Sequence, residues 1–247
     1  MMNPPLTLNC DMGESFGPWK MGNDEGIMPL IDSANIACGG HAGDPSTMRQ
    51  CVALARKHGT EIGAHVSYPD KEGFGRRAMD IHGQALIDLI HYQIGALDGI
   101  ARVHSQRVTY IKPHGALYHA ILTDPSLMND IMRAAASWHA DLELVVLATP
   151  RDRKTVQLAV EHGLNLRYEA FADRAYTARG LLLSRDKPGA VLTPNEAALQ
   201  AIAITRNKLK TSTGKRIPVN ADTLCVHSDS PGATKMIRTI RQALDQS

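Results

Sequence analysis

The chain has 247 residues, of which 43% are hydrophobic and 21% charged, a composition typical of globular proteins that excludes a disordered or membrane-spanning chain. Its 27 basic and 25 acidic residues are interspersed, so no basic surface for nucleic acid is indicated. The first eight residues lack a cationic segment followed by an apolar one, which argues against a secretory signal and predicts a cytoplasmic protein that binds no membrane.

Seven short runs rich in β-forming residues alternate with longer segments of helical periodicity. The predicted strands cover residues 6–10, 34–38, 61–66, 108–111, 142–147, 164–169 and 224–226. The clearest helix is predicted near residues 83–103, where leucine and isoleucine recur at helical spacing. Capping residues followed by proline predict further helix starts at Asp44-Pro45, Asp124-Pro125, Thr193-Pro194 and Ser230-Pro231.

This alternation predicts an α/β fold with a parallel sheet, for which a closed barrel competes with an open doubly wound sheet. At this length we favour a (β/α) barrel of about seven strands that forms a single domain over residues 1–247. Residues 208–217 are polar and basic and contain a glycine, which predicts a surface hairpin or loop.

The four cysteines are scattered and form no CxxC pair, so neither a structural zinc site nor a disulfide framework is indicated. Cys10, Cys38 and Cys225 lie in or beside apolar runs, where a free cysteine usually behaves as a small hydrophobic residue. We therefore favour buried, reduced thiols over a nucleophilic cysteine.

Polar residues are concentrated just after the predicted strands, where parallel α/β folds place their active sites. Four histidines in these positions are predicted to share one pocket: His41, His65, His114 and His227. The other seven lie in helical patterns or near helix ends, where solvent exposure or capping explains them: His58, His82, His91, His104, His119, His139 and His162.

Two further strand-end residues have both a functional and a structural interpretation. Asp11 suits a general base or a metal ligand, although it could also cap the following turn. Lys112 could polarise a carbonyl group or pair with a substrate carboxylate, or it could form a salt bridge to Asp11 or Glu169 in the barrel mouth. We favour the functional interpretation of both.

Charged residues also follow the sixth strand and a glycine-rich segment. Asp173 and Arg174 could act on a proton and hold a carboxylate, or they could form a structural ion pair. Arg76 and Arg77 follow Gly73-Phe74-Gly75 and lie either on a loop over the site or on an ordinary surface loop. No phosphate-binding loop is convincing, because this segment follows a polar turn instead of a strand.

Seven ordered segments between Asn9 and Asp229 resemble the motifs of the LamB/YcsF family. They read LNCDMGE, NIACGGHAGD, GAHVSYPD, GFGRR, KPHGALY, FADRAY and CVHSD. The resemblance implies a distorted barrel similar to that of glycoside hydrolases and deacetylases. It also implies conversion of 5-oxoproline to L-glutamate, coupled to ATP hydrolysis, with 5-oxoprolinase subunits B and C as partners. No residue of this chain is assigned to ATP binding.

The same motifs carry the candidate site residues. Asp11, His65, Lys112, His114 and Asp173 are assigned to catalysis. Asn9, Glu14, His41 and Arg174 are assigned to substrate binding. The resemblance predicts a glycine after the last motif histidine, but this chain has Ser228. If that glycine requires a positive φ angle, which serine adopts less readily, the loop that contains His227 and Asp229 is displaced. His227 and Asp229 are therefore not carried over.

Two other functions stay open. One is a metal-dependent deacetylase or amidohydrolase that uses no ATP, with a divalent ion bound by residues from among Asp11, His41, His65 and His114. The other is a regulatory subunit that binds a small carboxylate without catalysis.

Overall fold

Seven parallel strands close into a barrel in the computed structural model, which describes residues 6–149, 153–228 and 232–245. In barrel order the strands are β1 (Thr7–Met12), β2 (Ser33–Ala37), β3 (Glu61–Val66), β4 (Tyr110–Pro113), β5 (Glu143–Leu147), β6 (Asn165–Phe171) and β9 (Thr223–Val226). Pairing of β9 with both β6 and β1 completes the closure. The predicted α/β barrel of about seven strands is thus confirmed, and the open sheet is excluded.

Eight α-helices connect these strands or flank the barrel within the described part of the chain. They are α1 (Asp24–Ile27), α2 (Pro45–His58), α3 (Gly83–Val103), α4 (Gly115–Ile121), α5 (Pro125–Trp138), α6 (Arg153–Glu161), α7 (Pro194–Thr205) and α8 (Ala233–Asp245). None of the described helices has the length and apolar character needed to cross a membrane.

The predicted helix starts are confirmed where the structure describes them. The Asp44 side chain accepts a hydrogen bond from the Thr47 amide, and Thr193 forms a capping box with Glu196. Asp124 caps α5 in the same way as Asp44 caps α2. The predicted start at Ser230-Pro231 lies outside the described residues, as does Asp229.

Residues 208–217 contain an antiparallel hairpin of β7 (Leu209–Lys210) and β8 (Arg216–Ile217), which confirms the expected surface element. Both strands are only two residues long. The hairpin lies between α7 and β9 in the chain and pairs with no strand of the barrel.

The interior of the barrel below its mouth is polar and hydrogen-bonded. The Tyr110 hydroxyl donates to Asn35 Oδ1 at 2.7 Å, and Asn35 Nδ2 donates to Asn9 Oδ1 at 2.8 Å. Asn9 Nδ2 then donates to Thr223 Oγ1 at 2.9 Å, so four strands are joined across the interior. A Cβ atom on Gly63 would come within 2.0 Å of the Tyr110 ring, so glycine is required for this tyrosine to fill the barrel. This layer forms the floor of the mouth.

Candidate active site

The carboxyl ends of the strands open onto a cavity of about 410 Å³. Six of the nine site residues predicted from the sequence line it: Asp11, Glu14, His65, Lys112, His114 and Arg174. The other three, Asn9, His41 and Asp173, are buried behind the lining and contact residues that form it. All nine therefore gather at one end of the barrel, as expected for a parallel α/β fold.

Lys112 is the centre of a buried charge cluster. Its Nζ atom lies 2.9 Å from Asp11 Oδ1 and 3.2 Å from Glu169 Oε2, so both salt bridges expected as the structural role of Lys112 are present. Burial disfavours the charged ammonium, but the negative charges of Asp11 and Glu169 outweigh it and raise the pKa of Lys112 well above its usual range. Lys112 is therefore a permanent cation at the floor of the cavity.

The two carboxyl groups beside Lys112 differ in their environments. Burial acts to raise the pKa of Asp11, but the charges of His65 and Lys112 outweigh it and hold that pKa well below its usual range. Burial raises the pKa of Glu169, and the charge of Lys112 only partly opposes this effect. The ionised form is therefore favoured more strongly at Asp11 than at Glu169, which makes Asp11 the carboxylate suited to orient a water molecule.

Cys225 completes the surroundings of Lys112, with its sulfur 2.9 Å from Nζ. Burial raises the pKa of its thiol well above the usual range, in spite of the nearby ammonium. All four cysteines are buried and free, which agrees with the predicted reduced thiols. Cys225 is therefore a neutral contact of Lys112 and not an activated nucleophile.

Three imidazole rings and one carboxylate form a compact cluster at the ends of β1–β4. Ligand atoms of Glu14, His41, His65 and His114 all lie within 4.8 Å of one another, and the group could hold a metal ion. The rings of His41 and His114 are stacked, with centroids 3.7 Å apart and an angle of 4° between their planes. Burial lowers the pKa of both histidines well below the usual range. Of the four metal-ligand candidates from the sequence, the three histidines lie in this group together with Glu14, whereas Asp11 lies in a second group with Cys225 and His227.

The glycine-rich loop 73–77 covers this cluster. Phe74 has a positive φ angle of 53°, and its carbonyl oxygen accepts a hydrogen bond from His114 Nε2 at 2.9 Å. Arg76 lines the cavity, and its guanidinium lies 5.0 Å from the centre of the Phe74 ring. Arg77 instead pairs with Asp70, Nε to Oδ1 at 2.8 Å. Of the two predicted arginines, Arg76 therefore belongs to the site.

A second acid–base pair lies on the opposite wall of the cavity. Asp173 Oδ2 lies 2.9 Å from His227 Nδ1 and accepts a hydrogen bond from the His227 amide at 3.1 Å. Burial acts to raise the pKa of Asp173, but the charge and hydrogen bonds of His227 bring it below the usual value. His227 lines the cavity, so the Asp173 carboxylate holds a ring that faces the cavity.

Arg174 and Ser228 have contacts that the sequence did not indicate. Arg174 donates to the carbonyl oxygens of Leu183 at 2.6 Å and Ala190 at 3.3 Å, and thus holds the loop that follows β6. Ser228 donates to the backbone oxygen of Asp11 at 2.7 Å and is absent from the described non-glycine residues with positive φ. The serine therefore supports the Asp11 segment, and the positive φ considered for it is not adopted.

Several cavity residues were missed by reasoning from the sequence. His119 is exposed, as the sequence analysis expected, but it also lines the cavity from α4, whose first residue Gly115 lines it as well. His119 lies four positions after Gly115, so a helix that begins at the mouth turns both toward it. Arg185 lines the cavity from the loop after β6, and no strand-end position marks it.

Comparison with known proteins agrees with this architecture. The LamB/YcsF family model matches residues 6–247. A protein from Pseudomonas putida, named as an A subunit of 5-oxoprolinase, is 52% identical over 242 residues, which are 97% of this chain and 94% of that protein. The protein of the same name from Vibrio cholerae is 46% identical over the whole of both chains.

Two solved structures show the same kind of fold. The lactam utilization protein from Thermus thermophilus superposes with a TM-score of 0.91 at 39% identity and covers 98% of this chain and 97% of its own. A putative cellobiose-phosphate cleavage protein from Enterococcus faecalis has a TM-score of 0.56 at 10% identity, covers 99% of this chain and 95% of its own, and shares the fold alone. From the family model and these full-length relatives, the chain belongs to the LamB/YcsF family.

Proposed function

We propose that this chain is the A subunit of a 5-oxoprolinase, which converts 5-oxo-L-proline to L-glutamate while ATP is hydrolysed to ADP and phosphate. The observation that carries the proposal is the similarity, over essentially the whole chain, to proteins named as the A subunit of 5-oxoprolinase. The polar cavity at the barrel mouth supports it, because a small polar lactam needs hydrogen-bonding and cationic partners.

The coupling to ATP follows from the chemistry of the substrate. A lactam is a resonance-stabilised amide, and transfer of the terminal phosphoryl group of ATP to its oxygen makes the ring carbon electrophilic. Water then adds to this carbon, the ring carbon–nitrogen bond breaks, and an acyl phosphate is left on the opened chain. A second water releases phosphate and leaves the new carboxylate, so one ATP and two waters are consumed for each glutamate.

The residues around Lys112 suit these steps. Asp11 is the ionised carboxylate at the cavity floor, so we assign to it the orientation of the attacking water and acceptance of its proton. Lys112 lies beside Asp11 and stabilises negative charge on the lactam oxygen or on the phosphoryl group. His65 Nε2 lies 3.4 Å from Asp11 Oδ2 and can pass a proton onward.

The opposite wall suits the leaving nitrogen and the substrate carboxylate. His227, held by Asp173, is placed to give a proton to the ring nitrogen as the bond breaks. Arg76, Arg174 and Arg185 give the cavity cations that match a carboxylate or a phosphate. Arg174 also donates hydrogen bonds to two backbone carbonyl oxygens. It therefore supports the loop after β6 as well as facing the substrate.

We further propose that the complete enzyme includes the B and C subunits and operates in the cytoplasm, where ATP is available and thiols stay reduced. The relatives are named as one lettered subunit of an enzyme, which supports the presence of additional subunits. The chain alone is then expected to release no phosphate in response to 5-oxoproline, and turnover is expected to appear when both partners are added.

The test is a reconstitution that follows glutamate and phosphate separately. Subunits B and C, 5-oxoproline and ATP are combined with the wild-type chain or with Asp11→Ala. Lys208→Ala, at an exposed position outside the cavity, is the control. We expect wild-type and Lys208→Ala to turn over equally and Asp11→Ala to be inactive. Phosphate release by the single chain that depends on 5-oxoproline would contradict the need for partners. Glutamate formation without ATP would instead support the metal-dependent amidohydrolase, which the cluster of three histidines and Glu14 favours.

A further inference from the structure

Arg174 is a buried cation that forms no ion pair in the described part of the chain. Only 3% of the residue is exposed. Its chain neighbour Asp173 is turned to His227, with which it pairs at 2.9 Å. Arginine is seldom buried to this extent without an anionic partner, because an unpaired charge is costly to remove from water. An anion that enters the cavity would supply the missing partner.

The hydrogen bonds of Arg174 leave part of its guanidinium available. Of its five N–H groups, one on Nε donates to Ala190 and one on Nη2 donates to Leu183. Nη1 has no acceptor among the residues that the structure describes, yet it is not one of the unpartnered atoms that are sealed from solvent. Because Arg174 lines the cavity, its remaining N–H groups are accessible from there. The two carbonyl contacts therefore fix the plane of a fork that still has donors for a ligand.

His119 lies near Arg174 on the same cavity wall. It lines the cavity from α4, and its ring forms no hydrogen bond within the described ranges. Partial desolvation and the positive charges of Arg174 and Arg185 lower the pKa of His119 below its ordinary value of 6.5. The ring is therefore mainly neutral at pH 7 and has one N–H donor. A negative group beside these side chains would offset the repulsion that they exert on one another.

We propose that Arg174 and His119 form a subsite for a small oxyanion, either the carboxylate of a lactam substrate or a phosphate group. Both ligands have oxygen atoms that accept hydrogen bonds, and a guanidinium binds either of them through parallel N–H groups. Arg185 lines the same cavity and adds positive charge. The carboxylate as occupant rests on the proposed function, whereas phosphate binding does not.

Support of the loop after β6 does not by itself account for the charge of Arg174. The carbonyl oxygens of Leu183 and Ala190 could be satisfied by neutral donors, which would avoid the cost of a buried cation. Lys112, at the cavity floor, differs because Asp11 and Glu169 balance its charge within the protein. The charge of Arg174 is thus suited to a ligand that carries its own negative charge.

The test measures ligand binding by the purified chain, so it requires neither turnover nor partner subunits. 5-Oxoproline and inorganic phosphate are titrated separately by calorimetry, with 2-pyrrolidone, the same ring without the carboxylate, as the reference. We expect Arg174→Gln to weaken binding of the oxyanion at least about tenfold, because a charged hydrogen-bond partner is lost. His119→Ala should weaken it about threefold, as expected for one neutral donor. Arg179→Gln, the same change at an exposed position of the same loop, should bind as the wild type does.

The two oxyanions give different results. If the carboxylate occupies the subsite, Arg174→Gln weakens binding of 5-oxoproline and leaves binding of 2-pyrrolidone unchanged. If phosphate occupies it, Arg174→Gln weakens phosphate binding, and this result supports the subsite even where 5-oxoproline does not bind and the proposed reaction is wrong. Equal affinities of Arg174→Gln and the wild type for both oxyanions would overturn the subsite, as would the absence of binding of either one to the wild type.

Arg174→Gln can also loosen the loop after β6, which circular dichroism and thermal melts detect. The wild-type chain then provides a second measurement, a proton NMR titration of the His119 ring, whose signal is identified by its loss in His119→Ala. A bound oxyanion should raise the pKa of His119, because its negative charge offsets those of Arg174 and Arg185. A pKa of His119 that stayed the same in saturating 5-oxoproline and in saturating phosphate would overturn the proposal.

Discussion

The ammonium group of Lys112 lies 2.9 Å from Oδ1 of Asp11, and this ion pair joins β4 to β1 across the floor of the mouth. Both side chains are at most 5% exposed. A buried charge that loses its partner is costly, so the two residues depend on each other for ionisation as well as for position. The functional and structural interpretations of Lys112 are therefore not alternatives.

We expect Lys112→Met to lower kcat/KM of the reconstituted enzyme at least about 100-fold, because a preorganised cation at the reacting oxygen is commonly worth this much. The same change should cost about 3–5 kcal/mol of unfolding free energy, since Asp11 and Glu169 then lose their buried counter-ion. Steady-state kinetics and urea unfolding give the two values. Lys208→Met, at an exposed position before the hairpin, is the matched control, and equal effects of the two variants would refute the role of Lys112.

Asp173 is predicted to act through His227. We expect Asp173→Asn to lower kcat at least about tenfold with little change in KM, because the amide carries no negative charge and its NH2 group would replace one of the two oxygens that face His227 Nδ1. His227→Ala should cause a similar loss, and the double variant should be little worse than either single one. Additive losses in this cycle would show that the two residues act independently.

Gly75 is where the glycine-rich loop approaches the histidine cluster. A Cβ atom at this position would lie 2.8 Å from both His114 Cδ2 and His41 Cβ, and its φ angle is +65°. Gly163, at the end of α6, has a φ angle of +63° but no heavy atom within 4 Å of such a Cβ. An alanine at either position would adopt an unfavourable left-handed backbone conformation. Only at Gly75 would its methyl group also clash with neighbouring side chains.

We expect Gly163→Ala to cost about 1 kcal/mol of unfolding free energy and to leave turnover unchanged. Gly75→Ala should cost about 2–4 kcal/mol and lower turnover, because the histidine rings must shift to admit the methyl group. Thermal melts and kinetics on both variants separate these effects. If Gly75→Ala matched Gly163→Ala in both measurements, the close packing of the loop on His41 and His114 would be refuted.

Much of the fold could be predicted because each barrel strand carries its own signal. Residues such as Leu8, Cys10 and Ile62 are apolar and buried, whereas Asn9, Asp11 and Lys112 are polar members of strands that turns or helices follow. Periodicity detects the runs, and the alternation with helices implies parallel pairing. The closed barrel then brings the strand ends together, so six predicted residues share the cavity lining.

The remaining site residues depend on contacts that no local pattern encodes. Arg185 belongs to a loop whose path is held by hydrogen bonds from Arg174, and His119 faces the cavity only because α4 begins at its edge. The pairing of Asp173 with His227 links positions 54 residues apart. Such pairings are set by tertiary packing, so the sequence indicated Asp173 and His227 as candidates but not their pairing.

The opposite end of the barrel contains an ion cluster that should govern stability at low pH. Arg167 donates to Glu61 through both terminal nitrogens, Nη1 to Oε2 at 2.6 Å and Nη2 to Oε1 at 2.9 Å. Burial acts to raise the pKa of Glu61, but the hydrogen bonds and charge of Arg167 bring it below its ordinary value of 4.5. Because Glu61 is distant from the cavity, this cluster can be altered without touching the proposed chemistry.

The sign of the pH effect follows from this lowered pKa. The unfolded chain binds a proton on Glu61 at higher pH than the folded chain does, so the stabilisation by ionised Glu61 is complete above about pH 4.5 and is lost as the pH falls through the folded pKa. We expect Glu61→Gln to reduce the unfolding free energy by about 1 kcal/mol at pH 7, a modest value because 31% of the Glu61 side chain is exposed and water screens the pair. The difference from wild type should shrink below pH 4.5, while turnover at pH 7 stays unchanged.

Urea unfolding between pH 7 and pH 3 measures the difference in unfolding free energy between Glu61→Gln and the wild type. Glu72→Gln is the control, because the Glu72 side chain is 89% exposed. A deficit in Glu61→Gln that stayed constant down to pH 3 would mean that lost packing, and not the charge of Glu61, accounts for it.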